Sequence, residues 1–152
     1  LKSVKYNARI IELASEINTN MPRYVVSRVQ DLLNDMGRAI KGSRMLVLGV
    51  AYKPIISDTR ESPALDVIGL LREKGAEVAY YDHFVPAIEH DGWGMKSVDD
   101  VLAAARAADC VVIVTDHASF DYAGIARVAP LVFDSRNALR GSAPEGSRVV
   151  RL

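Results

Sequence analysis

The sequence predicts an α/β protein: a Rossmann-like parallel sheet with helices on both faces, preceded by a long N-terminal helix. Three observations predict it. Apolar residues recur at gaps of three or four along the start of the chain, the spacing of one helical stripe. After Gly42 the pattern changes to short apolar runs alternating with helical segments. Strand, helix, strand, helix in that order calls for right-handed crossovers and a sheet covered on both sides.

The stripe consists of Ile10, Leu13, Ile17, Met21, Val25, Val29, Leu32, Met36 and Ile40. Pro22 falls inside it and removes one backbone hydrogen bond, so a kink or break is expected near Asn18–Met21. Because the stripe continues across Pro22, a kinked continuous helix is favoured over two separate ones. Lys41-Gly42-Ser43 is expected to end it, with Gly42 as C-cap. Residues 1–42 are thus read as one helical unit and 43–152 as the sheet domain.

Met45–Val50 is an apolar run of the kind a buried parallel strand shows. Ser62-Pro63 opens a helix, with serine as N-cap and proline at the first helical position; Leu65, Ile68 and Leu71, with Val67, form its apolar face and Lys74-Gly75 closes it. Glu77–Asp82 is a second strand. His83–Lys96 carries turn formers and a single tryptophan, and has no clear periodicity. Ser97 is expected to cap a helix running to Ala107, with Asp99 and Asp100 near its positive end. Asp109–Thr115 is the most apolar strand and is therefore placed centrally. A short helix over Tyr122–Val128 follows, capped by Ser119 or Asp121, then a strand at Leu131–Asp134 and a last one at Arg148–Leu152.

Composition narrows the function. Lys plus Arg and Asp plus Glu each number 19, so the net charge is zero and neither nucleic acid nor an anionic membrane is expected as partner. No apolar run reaches the roughly 18–20 residues that span a bilayer, and the start lacks a signal peptide's apolar region. Leu1 in place of methionine fits either processing or a cut through a longer polypeptide. One cysteine excludes an internal disulfide and fits a reducing, cytoplasmic setting.

Ligands of open parallel sheets bind beyond the carboxyl ends of the strands. The first strand runs into Gly49–Pro63, which has one glycine where a dinucleotide site would show G-x-G-x-x-G. Binding of NAD in the standard way is not expected from this chain alone. Lys53 and Arg60 suit phosphate contacts, with Asp58 and Glu61 orienting Arg60 or capping the next helix; surface ion pairs in a solvated loop are the competing reading. Arg136, after the strand ending at Asp134, would complete an anion site with Lys53, or is a surface arginine in a turn. Thr115, Asp116 and His117 reach the same rim, but nothing near His117 in sequence pairs with it as a catalytic base would require. Cys110 lies within an apolar strand and reads as an inert small hydrophobe. His83 and His90 show no metal-ligand spacing, and no metal is expected.

At Gly49–Pro86 the chain resembles the UDP-glucose/GDP-mannose dehydrogenase family, on the G-x-A-Y-K turn, the D-x-R-E-S-P helix start and the aspartate-ended second strand followed by a proline. Ile11–Val26 resembles the helix joining the two halves of these enzymes, and VIVTDHASFD and FDSRNAL match later segments. ELASEIN, TDH and DSRNA are most similar to the branch oxidising UDP-N-acetylhexosamines. The resemblance implies a C-terminal UDP-sugar-binding domain of an enzyme that oxidises a sugar C6 alcohol to a carboxylate with two NAD⁺, through a thiohemiacetal and thioester on a cysteine. It places the NAD domain and the G-G-x-C segment before Leu1, so the chain alone is expected to be inactive and to hold no catalytic residue. Tyr52 and Lys53 are implied to contact the UDP-sugar, with Arg136 or Asn137 beside it, and Arg60 to reach toward NAD. The joining helix implies a homodimer. A non-catalytic nucleotide-binding or dimerisation module is the alternative.

Overall fold

A computed structural model of the protein describes residues 2–51, 62–141 and 143–152. The first helix, α1 (Lys2–Asp35), runs continuously through Pro22 with a bend, as the unbroken stripe predicts. It ends earlier than expected. Gly37 takes φ +72°, and the Arg38 amide donates back to the Leu33 carbonyl at 2.9 Å, so the left-handed glycine that stops the helix is Gly37 and not Gly42. Gly42 instead turns the chain so that its amide donates to the Gly75 carbonyl.

Then come β1 (Arg44–Leu48), α2 (Pro63–Glu73), β2 (Glu77–Tyr81), β3 (Ala87–His90), β4 (Trp93–Lys96), α3 (Val101–Ala107), β5 (Cys110–Ile113), α4 (Tyr122–Val128), β6 (Val132–Asp134) and β7 (Val149–Arg151). The main sheet has the order β2-β1-β5-β6-β7, and every pairing in it is parallel. Strand β5 is the middle one, and its four residues are all buried, in keeping with its apolar sequence. The start of α2 is as the sequence indicates: Ser62 Oγ accepts the Ala64 amide and Pro63 is the first helical residue.

One further cap differs from the sequence reading, and one stretch it left without an element forms one. The cap of α3 is Asp100, whose Oδ1 accepts the Ala103 amide at 3.0 Å, and not Ser97. Ser97 Oγ is used elsewhere, accepting the Asp82 amide at 3.0 Å. The unassigned stretch His83–Lys96 contains an antiparallel hairpin, β3 with β4, turned at Asp91 and Gly92, both at positive φ. Trp93 anchors it, with the Arg72 guanidinium 4.9 Å from its ring centroid.

The sheet separates two cores. On one face Val25, Val29 and Leu33 of α1 meet Leu65, Ile68 and Leu71 of α2 over Met45, Val47, Cys110 and Val112. On the other, Ala105 of α3 and Ile125 and Ala126 of α4 pack on Leu46, Leu48, Val111 and Ile113. The alternation along each strand divides its residues between the faces. Only the second half of α1 joins a core. Val4, Tyr6, Ile10, Ile11, Leu13 and Ile17 of the first half are 49–68% exposed.

Candidate functional site

Strand β1 connects through α2 to β2 on one side, and the chain then returns to β5 on the other side of β1. The order reverses between β1 and β5, and the crevice outside their carboxyl ends is where doubly wound sheets take ligands. Gly49, Val50 and Ala51 form its β1 side, and Thr115, Asp116 and His117 its β5 side.

The two sides meet closely at Gly49. Its φ is +82°, and a Cβ there would sit 2.7 Å from Thr115 Cβ and 2.8 Å from the Thr115 carbonyl oxygen. Only glycine fits. The turn that follows is held by Asp82, at the end of β2. Asp82 Oδ2 accepts the amides of Val50 at 2.9 Å and Ala51 at 3.1 Å, while Oδ1 accepts the Phe84 amide at 2.9 Å. On its other side Ala51 offers its carbonyl to Thr115 Oγ1 at 3.0 Å. His117 Nε2 lies 3.3 Å from Asp82 Oδ2, and both residues are shut off from solvent, at 0% and 1% exposure.

His117 is fixed further by its surroundings. Its backbone amide donates to Tyr122 Oη at 2.7 Å, and its ring lies 4.8 Å from that of Phe120 and 5.6 Å from that of Phe84. Burial raises the pKa of the Tyr122 hydroxyl above the ordinary tyrosine value, against the amide bond from His117. Outside this buried group, His83 bridges Tyr81 Oη at 3.1 Å and Ser119 Oγ at 3.0 Å on the exposed rim.

Arg136 and Asn137 lie in the turn after β6, the neighbour of β5. Asp134 shapes that turn as Asp82 shapes the first: Oδ1 accepts the amides of Arg136 at 3.2 Å and Ala138 at 2.9 Å, and Oδ2 that of Leu139 at 3.1 Å. Asn137 takes φ +55°, and Arg151 donates to its Oδ1 at 3.5 Å, turning it toward β7. Arg136 is exposed on the carboxyl edge. Tyr52, Lys53, Asp58, Arg60 and Glu61, and with them the expected pairing of Lys53 with Arg136, lie outside the described residues.

Sequence reasoning named Thr115 and His117 as rim residues but missed the partner that makes them a unit. The signal was present: an aspartate closing β2 in a domain without the glycine fingerprint. In a dinucleotide site an acid near this position would bind a ribose. Here its oxygens accept backbone amides and it is buried. The expectation for Cys110 agrees with its surroundings: it is fully buried, and burial pushes its thiol up to about 12. Among the described residues no group of three or more His, Cys, Asp or Glu is placed to hold a metal ion. Among them, no helix is long and apolar enough to cross a membrane.

Comparison with known proteins agrees with the motif resemblance. Residues 46–141 match the model of the UDP-glucose/GDP-mannose dehydrogenase family, UDP binding domain. The UDP-N-acetyl-D-mannosamine dehydrogenase of Methanococcus maripaludis (strain C7 / ATCC BAA-1331) is 35% identical over 141 residues, covering 88% of this chain and 31% of that protein. The UDP-glucose 6-dehydrogenase TuaD of Bacillus subtilis (strain 168) is 34% identical over 143 residues, covering 90% of this chain and 30% of that protein. In structure, the UDP-D-ManNAc dehydrogenase from Pyrococcus horikoshii superposes with a TM-score of 0.76 at 29% identity, over 93% of this chain and 32% of that one. The chain spans about a third of the length of these relatives.

Proposed function

Because the chain belongs to the UDP-glucose/GDP-mannose dehydrogenase family, we propose that it supplies the sugar-nucleotide site of an NAD-dependent UDP-sugar 6-dehydrogenase. The observation that carries this is the β1–β5 crevice, whose first turn is held rigidly at Val50 and Ala51 and runs directly into Tyr52 and Lys53. Tyr52 and Lys53 contact the UDP-sugar, and the β6 turn adds either the positive charge of Arg136 or, as its alternative, the neutral amide of Asn137. Arg60 reaches toward NAD, which accepts hydride from the sugar C6 and is held mainly by residues outside this chain. The similarity to UDP-N-acetyl-D-mannosamine dehydrogenases supports a UDP-N-acetylhexosamine as the sugar nucleotide. The reaction takes place in the cytoplasm and serves polysaccharide biosynthesis, and this chain by itself is inactive.

In this reading residues 1–42 are the central helix and 43–152 the UDP-sugar-binding domain. The exposed Tyr6, Ile10, Leu13 and Ile17 follow gaps of four, three and four, the spacing of a helix–helix seam, and support a homodimer through α1. Calorimetric titration with UDP tests the site. Lys53→Ala should weaken binding by roughly tenfold, the worth of one charge-assisted phosphate contact. Unchanged affinity would remove Lys53 from the site. Light scattering tests the dimer, which a strict monomer at high concentration excludes.

A further inference from the structure

The amides of Val50 and Ala51 in the β1 turn both end on one carboxylate, and that carboxylate faces one imidazole. We propose that Asp82 and His117 form a single positioning unit that holds the Val50–Ala51 backbone, which Tyr52 and Lys53 follow in sequence. The inference rests on the sugar-nucleotide reading of the crevice only for its effect on UDP. The clamp itself stands on described geometry.

The argument is one of counting bonds at a shared atom. Asp82 Oδ2 already takes two backbone amides, from Val50 and Ala51. His117 Nε2 is 3.3 Å from the same oxygen, a close polar contact just beyond the usual N–H···O range. With a proton on Nε2 the imidazole becomes the third donor and fixes the carboxylate plane against rotation. Without it, two lone-pair-bearing atoms face each other in a site closed to water, which is costly. The arrangement therefore selects the Nε2–H tautomer. His117 does not need to touch a substrate to act: it orients Asp82, and Asp82 orients the turn. Thr115 Oγ1 closes the device by holding the Ala51 carbonyl from the opposite side.

The groups facing the imidazole explain why it does not swing away. Phe84 and Phe120 flank the ring, and Tyr122 holds the backbone of the same residue. A glutamine at position 117 can present an amide N–H near the place of Nε2, whereas asparagine is too short to reach it. The pair His117→Gln and His117→Asn therefore separates hydrogen bonding from polarity and bulk.

The experiment uses ¹⁵N NMR on this chain together with calorimetric titration of UDP. Long-range ¹H–¹⁵N correlation in the unmodified protein should show the His117 proton on Nε2; an Nδ1–H tautomer overturns the proposal without any variant. The Val50 and Ala51 amides should keep their shifts and exchange protection in His117→Gln and lose protection by about tenfold in His117→Asn and Asp82→Asn, as expected when a hydrogen bond to a charged group goes. UDP affinity should follow the same order, within about twofold for Gln and weaker by roughly tenfold for Asn. Val50 and Ala51 amides unchanged in His117→Asn overturn the clamp. If the unmodified protein binds no UDP, the sugar-nucleotide reading fails, and the tautomer and the amides alone decide for or against the positioning unit.

Discussion

Asp82 and Asp134 behave alike at the ends of two different strands. Each is buried and accepts three backbone amides, Asp82 from Val50, Ala51 and Phe84 and Asp134 from Arg136, Ala138 and Leu139. A carboxylate can accept several hydrogen bonds and donates none when ionised, so one side chain satisfies several amides that a tight turn leaves without partners. Gly49 is the complement: no side chain fits between β1 and Thr115. Gly49→Ala combines a positive φ with a Cβ 2.7 Å from Thr115, and neither atom can yield without moving a strand end. We expect it to lower stability by about 2–4 kcal/mol, read from urea denaturation. A loss under about 0.5 kcal/mol, the range of surface substitutions, would mean the strand ends have room to separate.

Among the elements, most of the sheet was legible because buried parallel strands are short apolar runs with turns between them. MLVL, CVVI and the strand around Phe133 needed no tertiary information. Helix α2 was equally plain from Ser62-Pro63 and Lys74-Gly75. What failed was the choice between competing local signals. Gly37 and Gly42 both suit a helix end, and the apolar Met36 and Ile40 between and before them extend the stripe past the true stop. Ser97 and Asp100 both suit an N-cap, and the tertiary demand of the Asp82 amide for Ser97 decided it. The β3–β4 hairpin is too short and too polar in alternation to show period two. The site was half legible: the rim residues follow from strand ends, but a contact between positions 82 and 117 leaves no trace in spacing. The cap assignment is testable. Asp100→Ala should cost about 1 kcal/mol, measured by thermal or urea unfolding. Ser97→Ala should act instead through the Asp82 amide and shift its NMR resonance, which Asp100→Ala leaves in place.

At the scale of the whole molecule, burial raises the pKa of three weakly acidic side chains among the described residues. Burial moves the Tyr80 hydroxyl up to about 12, with the Asp82 charge adding to it, and moves the Cys110 thiol to about 12 as well. Burial also raises Tyr122. Tyr80 meanwhile donates to the Val85 carbonyl at 2.8 Å, a bond its ionised form cannot make. A group whose folded pKa is raised lends stability that is full below its unfolded value and is lost as pH climbs to the folded one. The unfolded values are about 8.5 for cysteine and 10 for tyrosine. Stability should therefore fall steadily from about pH 9 to pH 12, with no counterpart from these groups on the acid side. Urea midpoints across that range check it, and Tyr80→Phe should flatten the decline. The same thiol should resist iodoacetamide at pH 8 until the protein is unfolded. Five of these amide bonds, two on Asp82 and three on Asp134, also bear on binding. The stretches Val50–Ala51 and Arg136–Leu139 are organised before anything arrives, so a guest seated on them incurs no entropy loss for arranging that backbone. Across those two stretches the heat-capacity change on association should reflect surface covered by the guest, without the large negative excess that accompanies folding upon binding.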